Sequence, residues 1–205
     1  MNDWTVIVCD GGPERAEESA ELAARLRRRP DLRVRSCPDP YHLPPDAPAL
    51  AALRRLEGPL AAVSWHHPRA LYWLLRAAGV AGRRADLEEE AGGEGRPIHC
   101  FDARRFCCPG KVEEAVAELA AGGSAPGDHE RLPGTAGERW YPVLDYNRCT
   151  GCMQCLEFCL FGVYAVGPEG RPEAADPDRC KPGCPACSRV CPAGAIMFPL
   201  YKGLE

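Results

Sequence analysis

The chain has 205 residues and a formal net charge of −4, and 45% of its residues are hydrophobic. That length allows one large domain or two small ones, and the hydrophobic content supports a folded core. The mildly acidic balance gives no case for nucleic-acid binding, and no apolar run reaches the roughly 18–20 residues needed to span a bilayer.

The N-terminal residues, Met1 to Trp4, have neither the basic start nor the apolar segment of a signal peptide. We therefore expect the protein to stay in a reducing cytoplasm, where spaced thiols are typical of metal or redox ligands rather than disulfides. The odd total of thirteen cysteines also argues against a complete disulfide framework.

Strand-like and helix-like segments alternate over residues 1–121. The predicted strands are Thr5–Cys9, Leu32–Ser36, Leu60–Ser64 and Pro97–Phe101, and the predicted helices are Pro13–Arg29, Ala47–Leu56, Pro68–Ala78 and Lys111–Ala121. This alternation predicts an α/β docking domain with a parallel, flavodoxin-like or Rossmann-like sheet. Residues 122–139 are rich in Gly, Pro and charge and are predicted to be a linker.

The carboxyl ends of three of the four predicted strands carry cysteine, at Cys9, at Cys37 and in the stretch from Cys100 to Cys108. The carboxyl ends of parallel strands meet at one edge of a sheet, where such folds bind ligands. A site there is one interpretation, and a set of buried or labile thiols is the other. His66 and His67 follow the third strand and precede a helix. They could bind metal, or they could serve only in the loop and at the start of the helix.

Eight cysteines in the last third of the chain form two ordered runs. The first is Cys149, Cys152, Cys155 and Cys159, and the second is Cys180, Cys184, Cys187 and Cys191, followed by Pro192. Four closely spaced thiolates can hold an iron–sulfur cube, because each iron takes one sulfur from the protein. The alternative is a pair of structural zinc sites, whose cysteines usually come as two pairs separated by a longer loop. The spacing favours iron–sulfur clusters and electron transfer.

Residues 141–201 resemble the two-cluster bacterial ferredoxins, which implies a small α+β ferredoxin domain over residues 140–205. The resemblance implies crossed ligation, in which the fourth cysteine of each run binds the other cluster. One 4Fe-4S cluster would then bind Cys149, Cys152, Cys155 and Cys191, and the other Cys180, Cys184, Cys187 and Cys159. The sequence departs from the family at Leu160, where proline is usual, and in the three residues between Cys180 and Cys184.

A second resemblance covers residues 4–108, which are similar to the N-terminal segment of the A subunit of heterodisulfide reductases. The matching stretches are 6–11, 37–40, 61–64 with 68–71, and 102–107. This resemblance implies a flavin-containing redox partner and a possible third cluster site at Cys9, Cys37 and Cys107. Gly11 stands where a second early cysteine is usual, and Ser64-Trp65 replaces a Cys-Ser-Pro stretch.

The sequence therefore predicts an electron-transfer protein with two 4Fe-4S clusters that works as a subunit or partner of a flavin-containing redox complex. The chain contains no flavin or dinucleotide fingerprint of its own. In this interpretation the chain itself transforms no small molecule, and the α/β domain docks a partner protein. The alternative is an oxidoreductase whose α/β domain binds a substrate that the clusters reduce.

Overall fold

The computed structural model of the chain describes residues 3–86, 94–123 and 127–201. It divides into two compact units, Met1–Gly137 and Glu138–Glu205. Within the described ranges, no helix has the length and apolar character needed to cross a membrane.

The N-terminal unit is built on a six-stranded parallel sheet. Its strands are β1 (Thr5–Cys9), β2 (Arg33–Cys37), β3 (Leu60–Ser64), β4 (Arg83–Arg84), β5 (Pro97–Asp102) and β6 (Asp128–Arg131). They lie in the order β4-β5-β3-β1-β2-β6, and all neighbours pair in parallel. The four longer strands follow the order β2-β1-β3-β5, which is the arrangement of the flavodoxin-like doubly wound sheet.

Four helices cover the sheet. They are α1 (Ala16–Arg27), α2 (Pro48–Arg54), α3 (Pro68–Ala77) and α4 (Pro109–Leu119). Proline begins α2, α3 and α4, where its fixed φ suits the first turn and its missing N–H costs no hydrogen bond. α1 packs against α4, and right-handed crossovers would place α2 and α3 on the opposite face of the sheet. Leu22 and Leu26 of α1 share a buried core with Val112 and Val116 of α4.

The predicted α/β alternation is confirmed: β1 and β3 have the predicted bounds, β2 is shifted by one residue toward the C-terminus, and β5 is one residue longer than predicted. The structure differs from the predicted linker 122–139, since β6 lies within it and pairs with β2. All four residues of β6 are exposed and polar, so they show no hydrophobic period. Instead, buried Arg35 of β2 binds Asp128 at 2.5 Å and Glu130 at 3.3 Å.

The C-terminal unit is a small α+β fold with two similar halves. Its elements are β7 (Val143–Leu144), α5 (Gln154–Phe158), β8 (Ala165–Val166), β9 (Pro172–Glu173), α6 (Ala186–Val190) and β10 (Ile196–Met197). β7 pairs antiparallel with β10, and β8 with β9. The core includes Val163, Tyr164 and Ile196 together with the thiols of Cys155 and Cys187. The cysteine side chains are therefore part of the hydrophobic core of this unit.

Candidate metal centre

The first cysteine run wraps from a loop into helix α5. Gly151 (φ 71°) and Met153 (φ 62°) both adopt the left-handed conformation, which turns the backbone sharply between the first three cysteines. Asp145 fixes the start of the loop, because its side chain accepts hydrogen bonds from the backbone N–H of Asn147 (2.9 Å) and Arg148 (3.2 Å). Cys155 lies within α5 and is buried.

The second run has the same plan with one additional residue. That residue lies in a turn in which the N–H of Cys184 donates to the carbonyl of Lys181 at 3.0 Å, with Gly183 at φ 75°. Cys187 is buried in α6, and its sulfur accepts a hydrogen bond from the Tyr164 hydroxyl at 3.1 Å. The sulfur of Cys191 accepts one from the backbone N–H of Ala195 at 3.3 Å.

Cys159 of the first run lies beside the thiols of the second. Burial raises the pKa of Cys180 to about 12, with further contributions from the charges of Cys187, Cys184 and Cys159. Burial is also the main cause of the raised pKa of Cys187, and the charges of Cys159 and Cys184 add to it. Cys159 therefore lies near enough to Cys180 and Cys187 for its charge to affect them, and the full set of ligands for this cluster stays a prediction.

Two other thiols of the first run lie close together. Burial raises the pKa of Cys155 to about 11, and the charges of Cys149 and Cys187 add to this. Cys191 borders the same apolar core, at the end of α6, and α6 packs against α5. Cys149 therefore lies near Cys155, Cys191 lies at the end of the helix that packs against α5, and Cys152 is exposed.

The chemistry of these thiols is compatible with iron–sulfur ligation. Burial raises the pKa of Cys155, Cys180 and Cys187 and so favours their protonated forms, and bonding to iron would stabilise their thiolates. Over the described ranges, no three His, Cys, Asp or Glu side chains are arranged to hold one ion. The ligands of a cube stand farther apart than those of one ion, because each thiolate bonds a different corner.

The five cysteines of the N-terminal unit lie in different environments. Cys9 and Cys37 are buried, and their sulfurs are 3.7 Å apart. Cys100 is buried on β5. Cys107 and Cys108 are exposed at the start of α4, with sulfurs 3.8 Å apart. The residues described include no grouping of Cys9, Cys37 and Cys107 that could hold a metal ion, so the third site stays a prediction.

Sequence reasoning missed a buried contact between a histidine and a carboxylate at the same edge of the sheet. Nε2 of His66 lies 2.8 and 3.0 Å from the two carboxylate oxygens of Asp39. Asp39 follows β2 and His66 follows β3, so the meeting of parallel strand ends was the signal that could have paired them. His67 caps the start of helix α3, one of the two roles that the sequence left open. Its Nδ1 accepts a hydrogen bond from the backbone N–H of Arg69.

Comparison with known proteins supports a ferredoxin-type fold for part of the chain. No protein-family model matches the chain. It is 44% identical over 64 residues to an uncharacterized ferredoxin of Methanocaldococcus jannaschii, a match that covers 31% of this chain and 43% of that protein. It is 32% identical over 90 residues to pyruvate synthase subunit PorD of Methanothermobacter marburgensis, a match that covers 42% of this chain and 100% of PorD.

Proposed function

The chain belongs to the family of ferredoxin-type proteins that includes PorD, and from this premise we propose that it is an electron-transfer protein with two 4Fe-4S clusters in its C-terminal unit. The observation that supports the proposal is that the charge of Cys159, from the first run, acts on Cys180 and Cys187 of the second. A single metal ion bound by one run would not require a thiol from the other.

We assign the ligands in the crossed pattern. Cluster one is held by Cys149, Cys152, Cys155 and Cys191, and cluster two by Cys180, Cys184, Cys187 and Cys159. Each cluster would store one electron when bound. The hydrogen bonds from Tyr164 to the Cys187 sulfur and from Ala195 to the Cys191 sulfur would stabilise negative charge on these ligands. These bonds and the apolar core are the means by which the chain tunes the potential.

The partner is proposed to be a larger redox enzyme, because PorD is named as a subunit of pyruvate synthase. The resemblance of residues 4–108 to heterodisulfide reductases suggests a flavin-containing partner, and the N-terminal unit would dock it.

One observation favours the alternative, an oxidoreductase with a substrate site in the α/β unit. Buried polar groups collect at its strand ends, among them Asp39, His66 and Asp102, and ligands bind at that edge in such folds.

Metal content tests the cluster assignment. Protein purified without oxygen should contain about eight irons per chain and show the broad visible absorbance of 4Fe-4S clusters. Stoichiometric zinc in a colourless protein would contradict the proposal. About twelve irons per chain would add a third cluster and promote Cys9, Cys37 and Cys107 to ligands.

An exposed apolar patch next to a proposed ligand is the candidate route for electrons to the partner. Leu160, Phe161 and Phe158 flank Cys159, and their exposed fractions are 93%, 41% and 49%. Exposed apolar residues grouped in this way mark interaction surfaces. The proximity of the patch to cluster two would bring the partner's redox centre close.

Replacing Leu160 with glutamate should therefore slow electron transfer to the protein partner by about tenfold, because it places a charge in the contact. Stopped-flow kinetics with the partner would measure this, and the rate with methyl viologen should not change. Val166→Glu is the matched control. Val166 is also an exposed apolar residue (60%), but it lies on β8 and is not one of the three residues that define the patch. Equal effects of both substitutions would contradict the assignment of the patch.

A further inference from the structure

Cys9 and Cys37 occupy equivalent positions at the ends of neighbouring strands. Each is the last residue of its strand, and the two are direct partners in the parallel β1–β2 register. Paired residues on adjacent strands point to the same face of a sheet. Their sulfurs are accordingly 3.7 Å apart, and the exposed fractions of the residues are 0% and 1%.

This placement fits the geometry of a disulfide. Neighbouring strands lie roughly 4.8 Å apart, which is within the Cα separation that disulfides span. The sulfurs need to approach by less than 2 Å to reach a bond of about 2.05 Å, and side-chain rotation can supply this without moving either strand. Cys100 is excluded as a partner, because β3 lies between β5 and β1 and sets the strands two spacings apart.

The surroundings favour the uncharged form of Cys9. The hydrogen bond with Cys37 and complete burial raise the pKa of Cys9, and the nearby charge of Asp39 adds to this effect. A thiolate is therefore costly here, whereas a dithiol and a disulfide are both neutral. Conversion between these two states leaves no charge buried in the core. The imidazole of His66, at the same edge of the sheet, lies 2.8 and 3.0 Å from the two oxygens of Asp39.

We propose that Cys9 and Cys37 form a reversible dithiol–disulfide couple that is oxidised by small dialkyl disulfides. One cysteine displaces a small thiol from the reagent to form a mixed disulfide, and the other cysteine then displaces the second thiol. Overall, the S–S bond of the reagent and two S–H bonds break, the Cys9–Cys37 bond forms, and two small thiols carry away the protons. The cysteines lose two electrons and the reagent gains two.

Oxidation would join β1 to β2 at the edge of the sheet from which Asp39 extends towards His66. Both thiols are buried, so the strand ends must open before the reagent reaches them. The exposed thiols of Cys107 and Cys108 should therefore react first. The couple would respond to the thiol–disulfide state of the surroundings more slowly than the surface cysteines do.

The test is a redox titration of the full, cluster-loaded chain in mixtures of 2-mercaptoethanol and its disulfide without oxygen. Samples are quenched in acid, denatured, blocked with N-ethylmaleimide and digested with trypsin without reduction. Cys9 and Cys37 fall on separate single-cysteine peptides, residues 1–15 and 36–54. We expect these peptides to be linked at the oxidising end and to separate again when reductant is returned.

Two variants and an internal control make the outcome decisive. Cys100→Ser should leave the linked peptide unchanged, and Cys37→Ser should abolish it. The peptide over residues 106–111 carries the exposed pair Cys107 and Cys108 and shows that the reagent is active. If Cys107 or Cys108 is modified while Cys9 and Cys37 remain free thiols, the proposal is wrong. A link from Cys9 to any other cysteine overturns it equally.

Discussion

Replacing Cys191 with serine should remove about half of the iron, and the loss should fall on the cluster that Cys149, Cys152 and Cys155 would hold. Cys191 lies at the far end of the second run, more than thirty residues beyond these three in sequence. Crossed ligation nevertheless makes it their fourth ligand. Loss of a ligand exposes one iron to solvent and lowers the affinity for the whole cube, so we expect a stoichiometry near four irons.

Iron analysis and electron paramagnetic resonance of the reduced protein would measure this effect. Cys159→Ser is the matched partner, and it should damage the cluster held by Cys180, Cys184 and Cys187 instead. Cys100→Ser removes a buried thiol outside both runs, so its iron content should match that of the unaltered protein. If Cys191→Ser perturbed only the second-run cluster, each run would ligate its own cluster and the crossed assignment would be wrong.

The parts of the fold that depend on local pattern could be predicted from the sequence. β1 and β3 are short apolar runs that stop at polar or turn residues, and prolines mark the starts of α2 and α3. β4 has two residues, too few to show a period. β6 could not be predicted either, because its exposed, polar residues show no hydrophobic pattern. It joins the sheet through backbone pairing with β2 and ion pairs with Arg35.

The candidate sites also have parts that local sequence predicts and parts that only the fold shows. Within a cysteine run the spacing is local, so the sequence alone indicates which residues cooperate. The strand-end argument anticipated that Cys9 and Cys37 meet, because parallel strands share a carboxyl edge. It did not anticipate the position of Cys107. A short 3-10 turn, Ala103–Arg105, follows β5, and the chain then continues through Cys107 and Cys108 into α4, where both thiols are exposed.

The pairing of Asp39 with His66 needed tertiary information. The residues are 27 positions apart, and neither belongs to a recognisable motif. Asp39 also accepts the backbone N–H of Tyr41 at 2.9 Å, so its carboxylate shapes the loop after β2 as well as holding the imidazole. A carboxylate in such a loop is usually solvated, and only the fold shows that this one is buried.

Deletion of residues 1–137 should leave a folded ferredoxin unit that still contains about eight irons, because every proposed ligand lies beyond Trp140. The cut belongs after Gly137, where the two compact units meet in sequence. A cut at residue 121 would leave β6 on the fragment without its partner β2, exposing an unpaired edge. The fragment should accept electrons from reduced methyl viologen as fast as the full chain does.

The same fragment should lose binding to the partner protein if the N-terminal unit is the docking element. Affinity capture with the full chain, the fragment and the isolated N-terminal unit would show which of them retains the partner, with iron content confirming that the fragment is loaded. We expect capture by the full chain and by the N-terminal unit. A fragment that bound and reduced the partner as well as the full chain does would remove the docking role. The buried groups at the strand ends, led by Asp39 and His66, would then be tested as a substrate site.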